Sequence, residues 1–254
     1  MDSPLRHLQM MLRNMALLAQ EFDGSHQSIN VIHTLIDNFD SRILRNKQFL
    51  PGTFSRAFSS VFDIAKESSA PVIKYSDVYK DDYCHVNVFG LLRAGQRIPL
   101  HDHPDQHAIM KVFQGSLKVR SYSIVEYDEN GTELNLDEEH MFHSRYPPQD
   151  SILVRYEGET VLSSRGGQHS AWLGERKGNL HEVICLEPHT YFCDFFFPNS
   201  PYCYYYRPDP SITEPLAVGS PIVMQRICCP SDFITEKLDF PSVPAFRFGV
   251  VDSD

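Results

Sequence analysis

From Val72 onward the chain is written in short apolar runs, each broken by Gly, Pro, Asp or Asn. That texture does not fit a helical bundle and points to an antiparallel β protein. The spacing predicts strands at His85–Leu92, Ala108–Phe113, Ser116–Ser123, Ser151–Val154, Thr160–Leu162, Glu182–Leu186 and Tyr191–Phe197. Gln114-Gly115 reads as a hairpin turn between the second and third of these. Glu187-Pro188 reads as the turn between the last two. Short strands at this spacing suggest a sandwich or barrel. Glu126 to Asp150 is polar and carries Asn130-Gly131 and Pro147-Pro148, so an excursion loop or ribbon is expected there. The tail from Lys237 to Asp254, with Pro241 and Pro244, is expected to wrap the surface.

The first part of the chain has a different period. Leu5, Leu8, Leu12, Met15 and Ala19 fall on one helical stripe, with Pro4 suited to a first turn. Ile29, Ile32, Ile36, Phe39 and Ile43 form a second stripe, with Ser28 as the expected N-cap. Residues 1–50 are therefore expected to be a helical region packed on a main domain of residues 51–254. A partner-binding role for these helices is the alternative.

The chain has 254 residues, 42% of them hydrophobic, enough to bury a proper core. A net charge of −10 argues against a nucleic-acid partner, whose phosphates need a basic face, but does not exclude a cationic substrate. The six cysteines (Cys84, Cys185, Cys193, Cys203, Cys228 and Cys229) show no disulfide framework, and reduced thiols are expected. Cys228-Cys229 is read as two packed thiols rather than a strained vicinal disulfide. No stretch approaches a membrane span, and Arg13 and Asn14 interrupt the apolar run from Met10 to Ala19. A soluble cytoplasmic or nuclear chain is expected.

His101-Asp102-His103 carries the chemistry. Residues two apart on an extended segment project from one face, so both imidazoles can close on one divalent metal. His181, in Gly178-Asn179-Leu180-His181, is the expected third ligand, and His169 in Gly166-Gly167-Gln168-His169 its rival. His107 is expected just outside the ligands. His140 and His143 are expected to be solvated. Iron(II), zinc, nickel and copper all accept imidazole. A closed structural zinc site commonly uses thiolates, and no Cys-x-x-Cys pair exists here. Three neutral imidazoles leave the full metal charge in place, which favours a thiolate ligand with room for oxygen beside it.

The pattern Gly95-x5-His101-x-His103, with the later Gly-x-x-His181, resembles the two motifs of cupins. The position five residues after His103, usually glutamate in cupins, is Ala108. Ile98-Pro99-Leu100-His101-Asp102-His103-Pro104, continuing to His107 and Lys111-Val112, closely resembles the cysteamine (2-aminoethanethiol) dioxygenases and plant cysteine oxidases. So do Asn179-Leu180-His181, Asp194 in an aromatic strand, and Cys203-Tyr204-Tyr205-Tyr206-Arg207. The resemblance spans roughly residues 45 to 245. It implies a mainly β, cupin-type double-stranded β-helix (jelly-roll) barrel with an N-terminal helical region. It further implies Fe(II), O2, and oxidation of cysteamine or the N-terminal cysteine of proteins to a sulfinic acid. An oxygen-sensing role through N-degrons comes with the family. One departure stands out: where the family carries Pro-Pro-Tyr after the aspartate, this chain has Phe197-Pro198-Asn199-Ser200-Pro201-Tyr202, with Ser200 at the matching position.

Asp194, flanked by Phe192 and Phe196 on its strand face, is the expected acid of an apolar pocket, there to hold a substrate ammonium or take a proton. The competing reading is a carboxylate satisfied by backbone or by Arg207. Cys203 and Tyr205 share a strand face. They are read either as a pair that couples into a thioether, as in mammalian-type thiol dioxygenases, or as a packed thiol beside a phenol. A non-catalytic metal- or ligand-binding cupin, and a cupin dioxygenase acting on another small molecule, are the alternative functions.

Overall fold

The computed structural model describes residues 4–40, 72–125, 151–212 and 215–237. The expected excursion at 126–150, the boundary near residue 50 and the tail beyond Lys237 lie outside the described residues.

Two helices open the chain, α1 (Pro4–Gln20) and α2 (His26–Asn38). They meet through Met11, Leu12, Met15, Ala16 and Ala19 on one and Ile32 and Ile36 on the other. Ser25, not Ser28, caps α2. Its hydroxyl accepts from the Ser28 amide at 3.2 Å, while Ser28 Oγ donates to Asp23 Oδ1 at 2.7 Å. The apolar stripe begins a turn inside the helix, at Ile29, so periodicity places the start too late. The other end of α2 is held from below. Lys111 Nζ donates to the carbonyls of Ile36, Asp37 and Phe39 at 2.7, 2.8 and 2.8 Å, satisfying groups that a helix end leaves open.

Twelve strands follow among the described residues: β1 (Ile73–Lys80), β2 (His85–Leu91), β3 (Arg97–Asp102), β4 (His107–Gln114), β5 (Ser116–Ile124) and β6 (Ser151–Ser163), then β7 (Ser170–Leu173), β8 (Leu180–Cys185), β9 (Thr190–Phe197), β10 (Tyr204–Pro208), β11 (Pro221–Ile227) and β12 (Thr235–Lys237). They form two six-stranded sheets. One has the order β12-β1-β2-β9-β4-β7; the other, β10-β11-β6-β5-β8-β3, closes on itself through β3 and β10. The mainly β, jelly-roll barrel with N-terminal helices is thus the fold.

Two expected connections differ. β4 and β5 form no hairpin: β4 pairs with β7 and β9, β5 with β6 and β8. Gly115 carries the chain from one sheet into the other. Its φ is +76°, and a Cβ there would stand 2.3 Å from Thr190 Oγ1. The expected strands at Ser151–Val154 and Thr160–Leu162 are one strand, β6. Gly158, at φ +104°, lies within it near the point where pairing with β5 shifts between Ser121 and Tyr122.

Alternation divides the buried side chains between two layers. Val86, Val88, Ile109, Phe113, Phe195 and Phe197 meet the helices. Met110, Val112, Phe192 and Phe196 instead meet Ile98, Leu117, Val119 and Val183 of the second sheet. Burying each large apolar side chain contributes roughly 1.5–3 kcal/mol, so packing rather than helix propensity holds α1 and α2 in place.

Candidate metal centre

β3 and β8 run antiparallel, with His101 directly opposite His181. His103 follows one residue past the end of β3. The three rings converge. Centroids lie 4.3 Å apart for His101 and His181, 4.8 Å for His101 and His103, and 5.6 Å for His103 and His181. One ligand nitrogen from each falls within 4.8 Å of the others.

Tautomer follows from the backbone. His101 Nδ1 is 2.7 Å from the Pro99 carbonyl, and His181 Nδ1 is 2.5 Å from that of Asn179. A carbonyl only accepts, so each Nδ1 carries the proton and donates. Each Nε2 is left with a free lone pair, the orientation that metal-binding histidines adopt. Burial pushes the His101 imidazole down to about 4 and holds His103 and His181 well below the usual histidine range, the neighbouring rings adding to the effect. Three neutral imidazoles, two buried and His103 partly so, with no carboxylate among them fit a divalent ion with open coordination positions.

Two buried residues fix these ligands, and neither role is visible in the sequence. The Asn179 amide nitrogen donates to the carbonyls of His103, Gln106 and Glu175 at 2.8, 3.2 and 2.7 Å. Its oxygen accepts from the His103 amide at 3.0 Å. Asn179 therefore locks the turn after His103 onto the start of β8. Asp102, fully buried on the opposite face from the two histidines, accepts from the Tyr204 amide at 3.1 Å and the Tyr206 hydroxyl at 2.9 Å. That anchor draws β10 against β3 and places Tyr205 opposite His101, their rings 6.2 Å apart.

Asp194 lies on the inner face of β9 with Phe192 and Phe196, as expected. The Phe196 ring is 4.5 Å from that of His103. Asp194 is 6% exposed, its Oδ1 has no hydrogen-bond partner, and burial raises its carboxyl to about 8. Arg207 does not satisfy it, since that guanidinium bonds Gln225 instead. Directly across the strand pair, Asn87 Oδ1 is also buried without a partner. Further along this face His85 bonds Asp77 at 2.9 Å, and Lys237 pairs with the same carboxylate. The alternation His85, Asn87, Phe89 was the only sign of this polar row in the sequence.

The Cys203 thiol and the Tyr205 hydroxyl are within hydrogen-bonding reach of each other. The surrounding protein and the Asp102 charge push the thiol up to about 12. Desolvation raises the Tyr205 phenol as well.

Two expectations, for His107 and for Cys228-Cys229, are corrected, and the rivalry between His169 and His181 is decided. His107 lies on the helix-facing side of β4. It stacks between Trp172 and Phe197 beneath Phe22, with its Nδ1 buried and unpartnered. His169 is half-exposed and pairs with Asp37 at 3.2 Å, so His181 completes the cluster. Cys228 and Cys229 are exposed rather than packed, and all six cysteines are free. His140 and His143 lie outside the described residues. No described helix is long and apolar enough to cross a membrane.

Residues 41–231 match the model of the PCO_ADO family. The human 2-aminoethanethiol dioxygenase is 30% identical over 148 residues, covering 54% of this chain and 53% of that protein. The mouse 2-aminoethanethiol dioxygenase is 29% identical over 167 residues, covering 61% and 62%. The chain thus spans 53–62% of the length of these relatives. Among solved structures, KdgF from Halomonas sp. aligns at 16% identity and TM-score 0.33, over 53% of this chain and 86% of that one. Oxalate oxidase in complex with the substrate analogue glycolate aligns at 14% and 0.34, over 54% and 57%.

Proposed function

The chain belongs to the PCO_ADO family, and from that premise we propose that it is an iron(II)-dependent thiol dioxygenase. Its reaction is the oxidation of a free thiol, cysteamine or the N-terminal cysteine of a protein, to a sulfinic acid with O2. The observation that carries this reading is the carboxylate-free cluster of His101, His103 and His181, with the unpartnered acid Asp194 two residues along β9 from Phe196, whose ring packs on His103.

His101, His103 and His181 would hold the iron, which when bound supplies a binding place for the substrate sulfur as thiolate and for oxygen beside it. Asp194 recognises the substrate amine. An acid held in an apolar pocket without a partner is costly to ionise, and a substrate ammonium is the counter-ion that relieves that cost. Asn87 adds a second acceptor from the facing strand. Taking a proton is the competing role: with its carboxyl at about 8, Asp194 is largely protonated near neutral pH until a cation binds beside it. Phe192 and Phe196 exclude water around it. Tyr205 stands opposite His101, and Cys203 and Tyr205 are assigned as the pair that couples into a thioether, losing one hydrogen each to oxygen. The N-terminal helical region, residues 1–50, packs on the thiol dioxygenase domain, residues 51–254. Six free cysteines suit a reducing compartment, and we place the chain in the cytoplasm or nucleus.

Oxygen uptake by the iron-loaded protein tests the proposal, with cysteamine and a Cys-initiated peptide as substrates. Uptake with either supports it. No uptake with both, in protein shown to contain iron, removes it and leaves a metal-binding cupin without this activity.

A further inference from the structure

The Tyr205 hydroxyl is within reach of a second thiol, that of Cys229, as well as Cys203. We propose that Cys203 and Cys229 are a redox pair that closes to a reversible disulfide beside the three-histidine cluster. β10 and β11 are antiparallel, with Tyr205 opposite Ile227 and Tyr206 opposite Arg226. The pairing ends at Tyr205 and Ile227; continued two residues beyond the strand ends, the same register would set Cys203 opposite Cys229. Both are free and exposed; the Cys203 thiol is held protonated by its surroundings, so Cys229 is the thiol that meets the oxidant first and Cys203 the one that resolves it.

Residues directly opposed in an antiparallel pair have Cα atoms about 4.5–5.5 Å apart, inside the roughly 4.4–6.8 Å span of a disulfide. The chain neighbours Cys228 and Cys229 are held at about 3.8 Å, short of that span. Cys203 is therefore the better partner for Cys229 than Cys228 is.

In the closing reaction two S–H bonds break and one S–S bond forms. Two protons and two electrons pass to a hydroperoxide, whose O–O bond breaks to give an alcohol and water. An azodicarboxamide accepts the same two hydrogens and becomes a hydrazine. Phe233, four residues beyond Cys229, packs on Tyr205 at 6.0 Å and against the inter-sheet core, so the bond ties this segment to β10 next to His101. A sulfur engaged with Cys229 is not available to Tyr205. Under the dioxygenase reading, the disulfide and the thioether then exclude each other, one reversible by thiols and one permanent. The disulfide itself does not depend on that reading.

The test uses the full-length protein as purified, reduced and then treated anaerobically with diamide, followed by peptide mass mapping without reductant. The expected result is loss of two hydrogens, reversed by dithiothreitol, in a cross-linked peptide joining Cys203 to Cys229. The link persists in Cys228→Ser and is lost in Cys229→Ser. A Cys228–Cys229 disulfide, or no disulfide at Cys203, overturns the proposal. Survival of the mass loss in dithiothreitol also overturns it, since that marks a thioether. None of these readouts uses catalytic turnover.

Discussion

Replacing Asp194 by Asn should stabilise the protein, and by an amount that grows with pH. The carboxyl rises from an ordinary 3.8 to about 8 through burial alone. Below about pH 4 it is neutral in both folded and unfolded chains, and the substitution changes little. As pH rises, the unfolded chain releases the proton while the folded one retains it, so the wild type loses stability relative to the variant. At about 1.4 kcal/mol per pH unit, the difference reaches roughly 3 kcal/mol at pH 6 and levels off on the order of 5 kcal/mol above pH 8. The assay is urea unfolding of both proteins from pH 4.5 to pH 9 at equal metal content. A difference that does not change with pH would refute the assignment of Asp194 as a buried, unpartnered acid. The same variant should lose recognition of the amine. Its KM for cysteamine should rise about 10- to 100-fold, the worth of a charged hydrogen bond of roughly 1.5–3 kcal/mol. Turnover of a thiol without an amine should be affected far less.

Asn179→Ala should weaken metal binding about 10- to 100-fold in a metal-competition titration, because the turn bearing His103 loses its anchor while the ligands remain. An unchanged affinity would make Asn179 irrelevant to the centre. Lys111→Met should cost roughly 2–4 kcal/mol in urea unfolding by removing the shared donor of three carbonyls at the end of α2, of which that of Ile36 keeps the Phe39 amide. Amide exchange at that helix end should accelerate with it. Gly115→Ala should cost about 2–4 kcal/mol, since the new Cβ meets Thr190 in a left-handed backbone conformation. A neutral result there would mean that the crossing between sheets is not tightly packed.

The local alphabet of strands was legible, but which strand pairs with which was not. Gly115 is the same signal for a tight hairpin and for a crossing between sheets; Thr190, far away in sequence, decides it. Gly158 looks like a strand break and instead lies within one long strand. His181 was legible because its Gly-x-x-His spacing is distinctive, and its register with His101 agrees. His107 was misplaced because simple alternation from His103 fails across the turn at Pro104–Gln106, where Asp105 adopts φ +59°. Past that turn His107 is paired with Phe197 on the helix side, while Ala108 and Phe196 face the inter-sheet core. Asp102 acts through Tyr206, 104 residues away, and Asn179 through His103, 76 residues away. Their neighbours in sequence carry no sign of those contacts.

The most direct test of the central claim is product analysis after turnover of the iron-loaded protein under ¹⁸O2 with cysteamine or a Cys-initiated peptide. A thiol dioxygenase built on His101, His103 and His181 predicts a sulfinic acid carrying two labelled oxygens, and no such product from His181→Ala. Products with one labelled oxygen or none, or undiminished labelling in His181→Ala, would contradict it.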